Sequence, residues 1–168
     1  MLPRESSRRN SIAIAASAAL GLLLAHVWLY RFLTDDAFIS FRYARNLADG
    51  HGLVFNPGFE RVEGYTNFLW VMILAAFDAI GIAAERIANL LSAACGVVIW
   101  WAVLRYCRER SDRPVWLVVL PLFLLAATRS FAVWCTSGLE TKLYEMLVVV
   151  GALEALREID AARAGGPE

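Results

Sequence analysis

The chain has no charge excess of either sign: 16 Lys and Arg offset 16 Asp and Glu over 168 residues. Bulk charge therefore gives no reason to expect nucleic acid as a partner, and none is expected. Cysteine is scarce, with Cys95, Cys107 and Cys135 scattered. No CxxC or Cys/His spacing points to zinc or a redox pair, so the three read as small packing residues. There is no internal repeat of the kind that builds solenoids. Charge is low altogether: 19% of residues are charged against 59% hydrophobic, with a mean hydropathy of +0.53. That exceeds the apolar share of an ordinary soluble domain. Apolar runs of about 18 residues or more recur, which makes a bilayer the expected solvent.

The apolar runs predict an all-α polytopic membrane protein with about four transmembrane helices and one or two interfacial helices in its first external loop. Residues 1–10 carry Arg4, Arg8 and Arg9 against Glu5. A basic start of this kind is expected to stay cytoplasmic. Residues 11–33 follow as a nearly unbroken apolar run. A helix of that length reaches roughly 35 Å, enough for a hydrocarbon core of about 30 Å. It is too long for the apolar core of a signal peptide. An external loop is expected over 34–86, then a span over 87–104, a cytoplasmic loop over 105–113 and a span over 114–134. A short external acidic loop over 135–140, a span over 141–156 and a cytoplasmic tail over 157–168 complete the chain. The apolar stretch 67–82 is marginal in length and interrupted by Asp78. If it crossed, Arg105, Arg108, Arg110 and Arg113 would be forced outside, against the preference of basic loops for the cytoplasm. A flat or re-entrant 67–82 keeps them inside and puts both acidic stretches on one external face.

The interval from Thr34 to Trp70 is long, polar and aromatic. Loops of this length are functional or disordered, and this one is too aromatic for disorder. Asp35–Asp49 reads as an amphipathic helix capped by Thr34 or Asp35 and stopped by Gly50, with Phe38, Phe41, Ala44, Leu47 and Ala48 near one face. Asp35 and Asp36 suit a general base toward a hydroxyl, or a hard divalent cation such as Mg or Mn, or simply the positive end of a helix. Arg42, Arg45 and Arg61 match phosphate geometry, or snorkel at an interface. Glu63, Tyr65 and Asn67 offer carboxylate, hydroxyl and amide groups suited to a sugar. Thr136-Ser137-Gly138-Leu139-Glu140-Thr141 places a second acid beside a glycine turn, with Ser137 and Glu140 at capping-box spacing. Lys142 can answer a phosphate or sit at the interface.

The phrases DDAFISFRYARNLADGHGLVFNPG, ERVEGYTNFLW and SGLET resemble the start of GT-C glycosyltransferases, and most of all the mycobacterial-type terminal arabinofuranosyltransferase group. The resemblance covers roughly Thr34 to Leu147. It implies a polytopic enzyme of the bacterial inner membrane with its active site on the extracytoplasmic face. It implies transfer of a sugar, with weak preference for arabinofuranose, from a polyprenyl-phosphate donor to a cell-envelope glycan or lipid acceptor. The acids of the family's first external loop correspond to Asp35 and Asp36, and a later acid corresponds to Glu140. Family members carry more spans, so the resemblance implies an N-terminal fragment.

The expected catalytic residues are Asp35, Asp36 and Glu140, with Asp35 or Asp36 the metal ligand if a divalent cation is used. The expected substrate-binding residues are Arg42, Arg45, Arg61, Glu63, Tyr65 and Asn67. Membrane lipid is an expected partner. A lipid-linked-sugar transporter or flippase part, and a non-catalytic membrane scaffold, are the competing readings. A translocation path needs ionisable groups within spans. Here they cluster at span ends, which favours an enzyme.

Overall fold

The structure is a computed structural model that describes residues 3–109 and 113–165; Arg110 and the tail beyond Gly165 lie outside the described residues. The described residues form seven helices and no strand. These are α1 (Pro3–Leu29), α2 (Ala37–Ala48), α3 (Phe68–Ala79), α4 (Ala84–Glu109), α5 (Val115–Ala127), α6 (Arg129–Trp134) and α7 (Thr141–Ala164). Two of them, Glu5–Leu29 within α1 and Ala84–Glu109, are long and apolar enough to cross a membrane. Helices α3 and α5 are apolar but shorter.

The chain runs between two ends of a helical bundle. At one end, Arg8 donates to the Arg113 carbonyl at 2.7 Å, tying the start of α1 to the start of α5. Arg157 on α7 meets Glu109 at the end of α4 at 2.6 Å, and Arg105 meets the same carboxylate at 3.2 Å. At the other end, the Thr34 N–H donates to the Ser137 carbonyl at 3.0 Å. The Ser92 hydroxyl, near the start of α4, donates to the Leu139 carbonyl at 3.3 Å. Arg8, Arg105 and Arg157 therefore gather at the base, and both acidic stretches lie at the opposite end, the cap.

Two separate cores follow from this layout. The bundle core joins Ala16, Ala19 and Leu23 of α1 to Ile99 and Trp100 of α4, Leu122 and Ala126 of α5, and Phe131 and Ala132 of α6. The cap core joins Phe41, Tyr43 and Ala44 of α2 to Trp70, Val71 and Leu74 of α3 and to Ala84 and Ala88 of α4. Helix α3 is part of the cap. Its first residues face Ser40 and Glu140 through Asn67, and its last turn caps α4, with the Asp78 carboxylate accepting from the Ala84 N–H at 3.3 Å.

Several sequence expectations are corrected. The run 114–134 is two helices. Thr128 leaves helical geometry at φ −74°, ψ 104° while its hydroxyl donates to the Leu124 carbonyl at 2.6 Å, and α6 starts afresh at Arg129. Side chains that bond back to a carbonyl four residues earlier compete with the helix in this way. Helix α4 starts at Ala84 and continues to Glu109, so the arginines at 105 and 108 are helical. Helix α1 stops at Leu29, short of the expected 33. Neither Thr34 nor Asp35 caps α2 with its side chain. Backbone turns bring the Ala37 and Phe38 N–H groups to the Thr34 and Asp35 carbonyls at 3.1 Å each. On α2, Ser40 and Tyr43 are buried with Phe41 and Ala44, whereas Phe38 is exposed. Gly50 ends the helix as expected, at φ +82°, with the His51 N–H reaching the Asn46 carbonyl at 2.9 Å.

Candidate active site

The cap builds its site on a rigid α2. Tyr43 is buried, and its phenol donates to the Val62 carbonyl at 2.6 Å while accepting from the Gly64 N–H at 3.1 Å. That clamp fixes the stretch carrying Arg61 and Glu63 against the helix. The rings of Tyr43 and Tyr65 meet edge-on, 4.8 Å between centroids. On the next turn, the Asn46 amide donates to the Val54 and Phe55 carbonyls at 2.7 and 3.0 Å, stapling the preceding loop. A polar loop thus gains a unique position, because its backbone groups are met by side chains of a buried helix.

The two acidic stretches are joined by one amide. Asn67, just before α3, donates to the Ser40 hydroxyl at 2.9 Å and to Glu140 Oε2 at 2.7 Å. A carboxylate only accepts, so the amide nitrogen must be the atom facing Glu140. The expected capping box does not form. Glu140 precedes α7 without a side-chain cap and turns instead toward Asn67. Ser137 accepts from the Leu139 N–H at 3.3 Å, closing a local turn.

Gly138 explains how the turn comes this close. Its φ is +84°, and a Cβ there would lie 2.7 Å from Leu33 Cδ2, 2.9 Å from Ala37 Cβ and 3.1 Å from Phe41 Cζ. Only glycine takes that conformation without strain and leaves that space. The Gly138 carbonyl accepts from the Trp70 indole N–H at 3.0 Å, which fastens the turn to α3.

The expected site residues other than Asp36, which lines none of them, divide among three cavities. Asp35, Arg42 and Arg45 line one of about 480 Å³ with Phe38, Phe55 and Glu85. Asn67 and Glu140 line a second of about 640 Å³ between α3 and α7. Arg61, Glu63 and Tyr65 line a third of about 580 Å³ with Leu53. The arginines therefore do not form one cluster. Arg45 pairs with Glu85 at 2.7 Å, and Arg42 donates to Asn56 and lies 4.4 Å from the Phe55 ring centroid. Asp35 and Asp36 are exposed, and among the described residues neither carboxylate has a side-chain partner. Among the described residues no group of three or more His, Cys, Asp or Glu side chains comes together. A Mg ion held by one or two carboxylates, water and substrate phosphate requires no such group.

Sequence reasoning missed Ser40, Tyr43, Trp70 and Ser92, which position the site. Their only signal was a hydroxyl or indole on an otherwise apolar helix face.

The described residues form an all-helical fold with two helices of membrane-crossing length, consistent with a membrane protein. Comparison with known proteins narrows that class. The chain is 32% identical over 128 residues, 73% of its length, to a terminal beta-(1->2)-arabinofuranosyltransferase of Corynebacterium glutamicum. It is 32% identical over 155 residues, 86% of its length, to the protein of the same name from Mycobacterium tuberculosis. The chain thus resembles terminal arabinofuranosyltransferases, and the matches span only 18% and 24% of those relatives. No family model matches the chain. No solved structure matches it either.

Proposed function

We propose that this chain forms the catalytic cap of a GT-C-type membrane glycosyltransferase, one that moves a sugar, arabinofuranose by analogy with its relatives, from a polyprenyl-phosphate donor to a cell-envelope glycan or lipid. The observation that carries this reading is the Ser40–Asn67–Glu140 hydrogen-bond chain, which joins the two acidic stretches across 73 residues of sequence. The arrangement also supports a multi-pass topology with the base cytoplasmic and the cap outside, since Arg8, Arg105 and Arg157 at the base then lie on the side they prefer.

In this mechanism Asp35 or Asp36 takes the proton of the acceptor hydroxyl as its oxygen attacks the anomeric carbon. The bond from that carbon to the donor phosphate breaks, and prenyl phosphate leaves. Arg42 and Arg45 flank the same cavity as Asp35 and stabilise the negative charge of that leaving group. Arg45 would exchange Glu85 for phosphate. A divalent cation, if used, would be held by Asp35 or Asp36 and would supply Lewis-acid stabilisation of the phosphate. Glu140 would orient sugar hydroxyls.

The test is transfer of labelled sugar from a polyprenyl-phosphate donor in membranes containing the full gene product. Asp35→Asn combined with Asp36→Asn is expected to lower transfer by about a hundredfold or more, the usual loss on removing a general base. Both residues are exposed and lack side-chain partners among the described residues, so the protein should still fold. Full transfer by the double variant would refute the mechanism.

A further inference from the structure

We infer that the cavity between α3 and α7 is the subsite for an uncharged, hydroxyl-bearing lipid, such as a sugar carried on an apolar chain, and that phosphate-bearing lipid is directed to the arginine-lined cavity instead. The inference rests on the transferase reading and divides its two substrates between two places.

The cavity is amphipathic along its length. Its polar end holds Asn67, Glu140 and Thr141; its apolar end is walled by Phe68, Tyr144 and Leu147. The last three are exposed large side chains of α3 and α7, between 53% and 69% accessible, so the apolar end is open to the surroundings. Its volume of about 640 Å³ falls within the range of small-molecule sites, about 300–1,000 Å³.

Charge decides the occupant. One carboxylate lines this cavity and no cation does. Lys142, the single lysine of the chain, follows Thr141 directly but faces elsewhere. It is 1% exposed, pairs with Glu145 at 2.5 Å and lies 3.6 Å from the Phe131 ring centroid, in a different cavity. A phosphate here would meet Glu140 with nothing to neutralise it. A hydroxyl would meet an acceptor: Asn67 occupies Oε2, and among the described residues the second oxygen of Glu140 has no hydrogen-bond partner. A carboxylate in a partly buried site is a strong acceptor for a sugar hydroxyl. The 480 Å³ cavity has the opposite character, with Arg42 and Arg45 beside Asp35.

Two photoreactive probes test the division in membranes containing the chain. One is an uncharged alkyl arabinofuranoside with a diazirine on the alkyl chain; the other is a prenyl phosphate with the same group. The glycoside is expected to label the peptides holding Phe68 and Leu143–Leu147, and excess unlabelled glycoside should compete it away. Glu140→Gln should weaken this labelling about fivefold, the cost of replacing a charged acceptor by a neutral one. Leu147→Trp, which fills the apolar end, should abolish it. Leu90→Trp, at an exposed site on α4 outside the cavity, should leave it unchanged. Labelling of these peptides by prenyl phosphate rather than glycoside would overturn the inference, as would glycoside labelling that excess glycoside does not compete. No sugar transfer by the unsubstituted full gene product, with competed glycoside labelling intact, would sink the transferase reading while the subsite stands. Transfer without glycoside labelling would do the reverse.

Discussion

The two cores of this protein are built on different physics. The bundle core mixes Ala16, Ala19, Ala126 and Ala132 with Leu23, Ile99, Trp100, Leu122 and Phe131. Contact there is mostly van der Waals, with the His26 ring meeting the Ala126 carbonyl at 2.9 Å. The cap core has a similar mix, with Phe41, Tyr43 and Trp70 among alanines, but hydrogen bonds surround it: Trp70 to Gly138, Tyr43 to Val62, Asn46 to Val54, Asn67 to Glu140. Van der Waals packing tolerates small shifts between helices, whereas a donor aimed at one carbonyl does not. The cap is therefore the part that can hold chemistry to a fixed geometry.

Substitutions that test this contrast fall in order of expected effect. Gly138→Ala should be the most damaging. It adds a Cβ within 3.1 Å of three side chains at a φ of +84°. Left-handed strain and overpacking together cost about 3 kcal/mol. Thermal unfolding of the purified protein should show a large drop, and a shift within error would mean that the turn relaxes freely. Trp70→Phe should follow. It removes the indole donor to Gly138 and leaves a small void, for a loss of about 2 kcal/mol. If its unfolding matched the parent, the hydrogen bond would not hold the cap.

The bundle should be gentler at equal crowding. A Cβ at Gly96 would also come within 2.7 Å of a neighbour, but that neighbour is the Cys135 sulfur and Gly96 is helical. Gly96→Ala should cost about 1 kcal/mol, the lower end of overpacking, because one neighbour must yield and the helical backbone carries no left-handed strain. A loss equal to that of Gly138→Ala would erase the distinction between the cores. Gly151→Ala, with nothing within 4 Å, should be neutral or stabilising by up to about 1 kcal/mol, since alanine favours a helix interior.

The smallest effect is expected at Asp78. Burial raises its carboxyl above the ordinary range, opposed by the hydrogen bond from Ala84. One of its oxygens, Oδ2, is buried without a partner. A folded value above the unfolded one means that the folded state holds the proton more tightly. Its contribution to stability is then greatest below the unfolded value, near 3.8, and is lost as pH rises through the raised folded value. Asp78→Asn keeps an acceptor for Ala84, so it should leave stability unchanged or slightly higher at neutral pH and flatten the acid end of the pH profile. Denaturant unfolding across pH 4 to about 7 checks this. A variant less stable at neutral pH would show that the charge, acting at the start of α4, outweighs its burial.

Much of this was legible in the residues themselves. The all-helical class, the polar interval from Thr34 to Trp70 and the stop at Gly50 follow from hydrophobic runs and backbone chemistry within a few residues. The motif SGLET stood out because an acid beside a glycine turn is unusual between apolar helices. The break at Thr128 was not legible, since threonine inside an apolar run is compatible with a continuous helix until its hydroxyl claims the Leu124 carbonyl. The cap on α2 was misread because a backbone turn and a side-chain cap satisfy the same N–H groups.

What the sequence determined alone is local: where helices form, which stretches are too polar to be buried among them, and which glycines take the left-handed region. Those choices depend on neighbours within about four positions along the chain. What only the tertiary structure decided is partnership. Asn67 could have faced water, Glu140 could have capped its own helix, and the three arginines could have formed one cluster. Their partners lie as far as 73 residues away, and no local pattern encodes which of several equally good acceptors a donor will meet. That choice fell to the cap core, which brings α2, α3 and the Gly138 turn together and leaves Asn67 between Ser40 and Glu140.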